Sequence, residues 1–184
     1  SLLNHFSKET LSIARCPADE MGTGYEYLVG QFANDAGHTA QEFYTNRTVV
    51  HLMTEMLKPE SGESIYDPTC GSAGMLISAI AYLKEQGKEW RNVAVYGQEI
   101  NALTSAIGRM NLFLHGVKDF TIVNDDTLKN PAFIQNGQLQ TFDLIVTRRL
   151  PDEDIQCVQP KASANVHAQL PSYQHPVAYR RQEH

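Results

Sequence analysis

The sequence predicts an α/β fold built on a parallel sheet, and three observations predict it. From Ser64 onward, short β-rich runs alternate with helical patterns, and parallel neighbours need such crossover connections. The first run ends in an acid and a turn of small residues, Asp67 to Gly74, that opens a helix. A second acid, Glu99, follows the second run, and acids again follow the third at Asp125 and Asp126. In doubly wound folds the carboxyl ends of the strands are the rim where ligands bind.

In order along the chain, residues up to about Gly37 carry two helical patterns, one over Leu2 to Ala14 and one over Tyr25 to Phe32. In the second, Tyr25, Leu28 and Phe32 share a face, and Cys16-Pro17 and Gly22 to Gly24 punctuate the stretch. Thr39 to Asn46 is polar with an aromatic pair, Phe43 and Tyr44. The helix that follows places Val49, Leu52, Met53, Met56 and Leu57 on one broad apolar face and stops at Lys58-Pro59. Strands are expected at Ser64 to Tyr66, Val93 to Tyr96, Phe120 to Val123 and Phe142 to Val146, with helices from about Ala73 to Glu85 and Ala102 to His115. Leu103, Ile107, Met110 and Leu114 in the last helix have the spacing of a face packed on a sheet. Asn130-Pro131 and Asn136-Gly137 mark a loop. From Thr147 to His184 no period of 2 or 3.6 persists and four prolines intervene, so little order is expected. This divides the chain into an N-terminal helical segment (1–37), a partial α/β domain (38–146) and an irregular tail (147–184).

Composition narrows the function. The 184 residues are 42% hydrophobic and 20% charged, enough apolar material for one globular domain. The longest apolar stretch, MLISAIAYL, is far shorter than a membrane span, and Ser1 opens no secretory signal. Three cysteines without CxxC or Cys/His spacing support neither a disulfide framework nor a zinc site, which points to a reducing cytoplasm. A net charge of −6 argues against a free-standing nucleic-acid binder. If DNA is the substrate, much of the grip comes from another subunit or another part of the protein.

Around Asp67 and Pro68, the turn Gly71-Ser72-Ala73-Gly74 lets a ligand approach the backbone where a helix presents free N–H groups. A tight turn serving only the fold is the plainer reading of an isolated Gly-rich turn. Glu99 stands where such folds place an acceptor for ribose hydroxyls, or is a solvated loop acid. It lies 32 positions after Asp67 (99 − 67), longer than the interval of about 20 in nicotinamide-binding units, and a strict GxGxxG is absent. Asp126 is placed to accept from an adenine amino group; Asp125 and Asp126 serve equally well as turn formers.

Taken in order, these pieces resemble the gamma-class amino-methyltransferases of DNA, most closely the modification subunit of type I restriction enzymes. The match is carried by QEFYTNRTVVHLM (Gln41 to Met53), SIYDPTCGSAGMLISA (Ser64 to Ala79), YGQEIN (Tyr96 to Asn101), RMNLFLHG (Arg109 to Gly116), NDDTL (Asn124 to Leu128) and FDLIV (Phe142 to Val146). The upstream YEYLVGQFA (Tyr25 to Ala33) is similar to the helix before the catalytic domain in that family.

The resemblance implies a Rossmann-like methyltransferase fold, with S-adenosylmethionine as cofactor and adenine N6 of duplex DNA as the methyl acceptor. It implies that Glu42, Phe43, Tyr44, Thr45, Asn46 and Arg47 wrap the methionine end of that cofactor. Phe43 and Tyr44 also suit ordinary core packing, and Asn46 replaces the family's usual proline. It further implies that Asp67, Cys70, Gly71, Ser72, Ala73 and Gly74 form the cofactor loop, Glu99 the ribose acid and Asp126 the adenine contact. A zwitterionic sulfonium suits such a set: acids and aromatic faces for the cation, backbone N–H groups for the carboxylate. The implied partners are DNA, a DNA-specificity subunit and a restriction subunit.

One departure is large. After FDLIV the family carries Asn-Pro-Pro-Phe or Tyr, which receives the flipped adenine; this chain reads Thr147-Arg148-Arg149-Leu150. No Asn-Pro-Pro-aromatic run occurs elsewhere in it. The break coincides with the loss of periodicity, so we expect an interrupted reading frame near residue 147, a sheet of only four strands, which the family topology implies are ordered 3-2-1-4, and no methyl transfer by this chain alone. An Asn-Pro-Pro-aromatic codon run in another frame of the parent locus is the corresponding check. The incomplete sheet leaves Phe142 to Val146 as an apolar edge, to be covered by self-association or by the tail. Competing functions are a non-catalytic partner in a restriction-modification assembly and, less favoured, a nicotinamide-dependent oxidoreductase.

Overall fold

The computed structural model describes residue 15 and residues 17–35, 47–147 and 177–180. The expected helix over Leu2 to Ala14 and the segment Glu42 to Asn46 lie outside these residues. Helix α1, Ala18–Asp35, begins after Pro17, whose carbonyl accepts from the N–H groups of Glu20 and Met21 at 3.0 and 3.1 Å. It runs through Gly22 and Gly24, which the sequence suggested as breaks. Packing explains Gly22: a Cβ there would meet the His115 ring at 2.7 Å, so glycine permits the close approach of α1 to that histidine. On the face that Tyr25, Leu28 and Phe32 were expected to share, Leu28 is half exposed.

Helix α2, Arg47–Leu57, buries Val50, Met53, Thr54 and Leu57, whereas Leu52 and Met56 face outward, so its apolar face is narrower than expected. Lys58 ends it in the left-handed region, at φ 49°. The α/β unit follows as β1 (Ser64–Asp67), α3 (Gly74–Glu85), β2 (Ala94–Glu99), α4 (Ala102–Leu114) and β3 (Phe120–Asn124). A small hairpin comes next, β4 (Ile134–Gln135) and β5 (Gln138–Leu139), then β6 (Leu144–Thr147) and β7 (Val177–Arg180). The hairpin occupies what the sequence marked as a loop. Its turn is Asn136-Gly137 with both φ values positive, at 54° and 75°, the left-handed pair that a two-residue hairpin requires.

The main sheet has the order β3-β2-β1-β6-β7. Counting β6 as the fourth long strand, this is the expected 3-2-1-4 arrangement, all parallel, with one addition. Strand β7 comes from the segment expected to lack order and pairs antiparallel with β6, from Leu144↔Arg180 to Thr147↔Val177. The exposed edge is therefore covered by the tail. An unpaired row of backbone groups beside a buried strand is the physical drive for such pairing.

Alternation along the strands makes two cores. On one face Ile65, Val95, Leu144 and Val146 meet Leu76, Ile80 and Leu83 of α3 and Leu112 of α4. On the other, Tyr66, Phe142 and Ile145 pack with Tyr96 and Phe133, the Tyr66 and Phe142 rings stacking at 4.6 Å between centroids. Phe142 thus precedes β6 and anchors its entry. Helix α4 departs from expectation: Leu103 is 72% and Met110 49% exposed. Its inner face is instead Thr104, Ser105, Gly108, Asn111 and Leu112. Small and polar residues face inward because this helix presses on the turn after β1 as well as on the sheet.

Candidate functional site

Strand β1 delivers Asp67 to the carboxyl edge of the sheet, and β2 delivers Glu99 to the same edge. Asp67 is 2% exposed, and its Oδ1 accepts from the Thr69 N–H at 3.0 Å. Burial is the main cause that pushes its carboxyl up to about 7, and the neighbouring Glu99 charge adds to the rise. Glu99, 8% exposed, is no solvated loop acid: Oε2 accepts from the Gly71 N–H at 3.0 Å and Oε1 from the Asn101 N–H at 2.8 Å. Strand β2 thereby holds the glycine turn that β1 supplies.

The turn is tied on every side. The Cys70 N–H donates to the Gln98 carbonyl at 2.9 Å, and the Ala73 N–H to the Cys70 carbonyl at 2.7 Å. Cys70 is buried, and burial pushes its thiol well above the usual range, so it acts as packing rather than as a nucleophile. Its sulfur fills the space over Gly97, where a Cβ would lie 2.9 Å from Sγ. Ala73 takes the left-handed conformation, φ 65°, as the N-cap of α3 and offers no side-chain cap, so among the described residues the start of α3 has room for another acceptor. Gly108 lets α4 lie against the turn; a Cβ there would be 2.8 Å from the Gly71 carbonyl oxygen. Asn111, 1% exposed, donates from Nδ2 to the Ser72 carbonyl at 2.9 Å.

The loop after β3 is fastened to the same edge. Gln98, fully buried, donates from Nε2 to the Asn130 carbonyl at 2.9 Å, and its Oε1 accepts from the Ala132 N–H at 3.1 Å. The Thr127 hydroxyl donates to the Pro68 carbonyl. Asn124 donates from Nδ2 to the carbonyls of Glu99 and Ile100.

A cleft of about 400 Å³ runs from this edge between α1, α2, α3 and the end of α4. Of the residues singled out in the sequence, Arg47, Asp67, Cys70, Gly71, Ser72 and Gly74 line it. Ala73 is buried behind the turn, and Glu99 reaches the turn through Gly71. Arg47 is paired there with Glu26 at 2.8 Å. Asp126 stands apart from the cleft lining and is a turn former: its Oδ1 accepts from the N–H groups of Leu128 and Lys129 at 3.0 and 3.3 Å, and Lys129 Nζ lies 3.2 Å from Oδ2. The Lys129 N–H is the first cause holding its carboxyl below the usual range. Glu42, Phe43, Tyr44, Thr45 and Asn46 lie outside the described residues.

Sequence reading missed Gly97, Gln98, Gly108 and Asn111. A signal was present in two of them, a glycine and an asparagine three residues apart on a helix whose apolar stripe was taken as the buried one. Among the described residues, no group of three or more His, Cys, Asp or Glu is arranged to hold a metal ion, and no helix is long and apolar enough to cross a membrane.

Chemically, the edge offers two buried acids for cationic or hydroxyl donors and an uncapped helix start for an anion. Comparison with known proteins agrees with that fold. The sequence is similar to the type I restriction enzyme MjaIX methylase subunit of Methanocaldococcus jannaschii, 32% identical over 146 residues, which cover 79% of this chain and 25% of the relative. It is 35% identical over 131 residues to the MpnII methylase subunit of Mycoplasma pneumoniae, covering 68% of this chain and 22% of that one. Among solved structures, the type I restriction-modification methyltransferase subunit of Streptococcus thermophilus superposes with a TM-score of 0.61 at 36% identity, over 73% of this chain and 28% of that one. A putative class I S-adenosylmethionine-dependent methyltransferase of Listeria monocytogenes shares the fold, with a TM-score of 0.58 at 19% identity over 84% of this chain and 48% of its own. The chain thus spans about a quarter of the length of the restriction-modification relatives. The family described as N-6 DNA Methylase matches residues 17–151, from the start of α1 past the end of β6, and the chain belongs to that family.

Proposed function

We propose that the chain is the cofactor-binding part of an S-adenosylmethionine-dependent N6-adenine DNA methyltransferase subunit of a type I restriction-modification system. The observation that carries this reading is the joint between β1 and β2. A buried acid, Asp67, stands beside a glycine turn whose Gly71 N–H is held by the carboxylate of Glu99. The donor set suits the ligand: Asp67 lines the cleft for a cationic group, the α3 start is free for a carboxylate, and Glu99 is an acceptor for ribose hydroxyls. When bound, S-adenosylmethionine would supply an electrophilic methyl group on a sulfonium. The chain's own residues would orient it and keep water from its polar ends. We extend the cofactor site to Glu42, Phe43, Tyr44, Thr45, Asn46 and Arg47 and, for the adenine ring, to Asp126.

This part alone should not transfer methyl groups to DNA. At the end of β6, where the family's Asn-Pro-Pro-aromatic run would begin, the chain has Thr147, buried and 2.9 Å from the Thr69 hydroxyl. With a net charge of −6, the chain needs basic surface from DNA-specificity and restriction subunits to engage duplex DNA in the cytoplasm. Calorimetry tests the reading. Binding of S-adenosylmethionine and S-adenosylhomocysteine, with none of NAD, is the expected result; NAD binding, or binding of none of the three, would overturn it. Methylation of adenine-containing DNA by the chain above background would overturn the predicted inactivity.

A further inference from the structure

Asn111 is nearly fully buried, yet only one end of its amide is used. Nδ2 donates to the Ser72 carbonyl at 2.9 Å, while Oδ1 has no hydrogen-bond partner among the described residues. The orientation is fixed by chemistry: a carbonyl faces the amide at Ser72, so the NH2 must point there and the oxygen is the free end. A buried acceptor left unpaired forfeits its hydration with no return, a cost that an apolar side chain would avoid. The residue lines the cleft with Ser72, Gly74 and Met75, at the uncapped start of α3. That start attracts an anion, and the free Oδ1 beside it requires a donor. One ligand group satisfies both, a carboxylate carrying an ammonium on the adjacent carbon.

Resting on the cofactor reading above, we propose that Asn111 Oδ1 accepts a hydrogen bond from the α-ammonium of the ligand's amino-acid end, while Nδ2 holds the turn through Ser72. The side chain thus selects for an amino-acid tail rather than for the nucleoside. An Asn111→Leu substitution removes both functions; Asn111→Asp keeps an acceptor and loses the donor to Ser72.

The test is calorimetry of the 184-residue chain and both variants with S-adenosylhomocysteine and with 5′-methylthioadenosine, which lacks the amino-acid end, after circular dichroism shows each to be folded. Expected for Asn111→Leu is a loss of ten-fold or more in affinity for S-adenosylhomocysteine with methylthioadenosine changed less than two-fold. Asn111→Asp should keep the preference for S-adenosylhomocysteine. Equal losses for the two ligands, or an Asn111→Asp variant without that preference, would show a role through Ser72 only and overturn the proposal. Unchanged affinities in Asn111→Leu would overturn it too, leaving the cofactor reading intact. A wild-type chain that binds neither ligand would overturn both.

Discussion

Replacing Asp67 by asparagine should make the free protein more stable at neutral and alkaline pH. The side chain is buried, its carboxyl is pushed up to about 7 chiefly by desolvation, and its ordinary value is 3.8. In the unfolded chain Asp67 ionises near its ordinary value, whereas in the folded chain it holds its proton until about pH 7. Between those values the folded state binds more protons, so the group's contribution is full below about pH 4 and is lost as pH rises through about 7. With each pH unit of difference equal to about 1.4 kcal/mol, the whole effect is on the order of 4 kcal/mol, more than half of which falls between about pH 5 and pH 8. The amide that replaces the carboxyl keeps an oxygen for the Thr69 N–H and does not titrate. Melting curves of both proteins across that range are the assay. The native protein should lose about 5–10 °C relative to Asp67→Asn between the two ends, at roughly 2–4 °C per kcal/mol for a chain of this size. Parallel pH profiles would refute the reasoning, since they would mean that Asp67 is ionised throughout. The same substitution should weaken binding of a cationic ligand, because the lost charge is the one that a cation would neutralise.

Three other outcomes follow from the packing of the site. Gly108→Ala should cost about 1–3 kcal/mol and lower cofactor affinity, because the new methyl meets the Gly71 carbonyl and not a side chain that can move aside; an unchanged melt together with unchanged calorimetry would contradict this. Gln98→Leu leaves the Asn130 carbonyl and the Ala132 N–H without their partners, so amide exchange at 130–132 should quicken and stability fall by about 1–3 kcal/mol. Protection unchanged in that segment would show that the loop is held by other contacts. Removing residues 177–184 uncovers the β6 edge, and light scattering should then show concentration-dependent self-association; a monomer at all concentrations would count against strand cover as the function of β7.

The strands and the acids at their carboxyl ends were legible in the sequence, because alternation of short β runs with helices leaves few topologies open; the strand order came from the family resemblance. What failed did so for identifiable reasons. Leu103 and Met110 have helical spacing, but spacing gives a face without saying which way it points. The inward face of α4 was chosen by Gly108 and Asn111, whose partners, Gly71 and Ser72, lie far back in the sequence. Gly22 looked like a break because a glycine in a helix costs local stability; its partner, His115, cannot be read from the neighbouring residues. Val177 to Arg180 carries no local sign of order and gains its strand from the unpaired edge of β6. Asp126 had two readings: the contacts with Lys129, three residues on, show the turn, and the adenine contact belongs to the proposed site.

Glu99 can be viewed as an inventory of lone pairs. A carboxylate has about four acceptor positions, and the structure commits one on each oxygen, to Gly71 and to Asn101. Two remain, as many as the hydroxyls of a vicinal diol can occupy. In the proposed site the acid would therefore brace the turn and receive a sugar at once, without trading one for the other. A glutamine at this position has one oxygen in place of two and would have to choose between Gly71 and Asn101 before any sugar arrived. Discrimination between a ribonucleoside and its 2′-deoxy counterpart would then rest on a single spare acceptor position of one side chain.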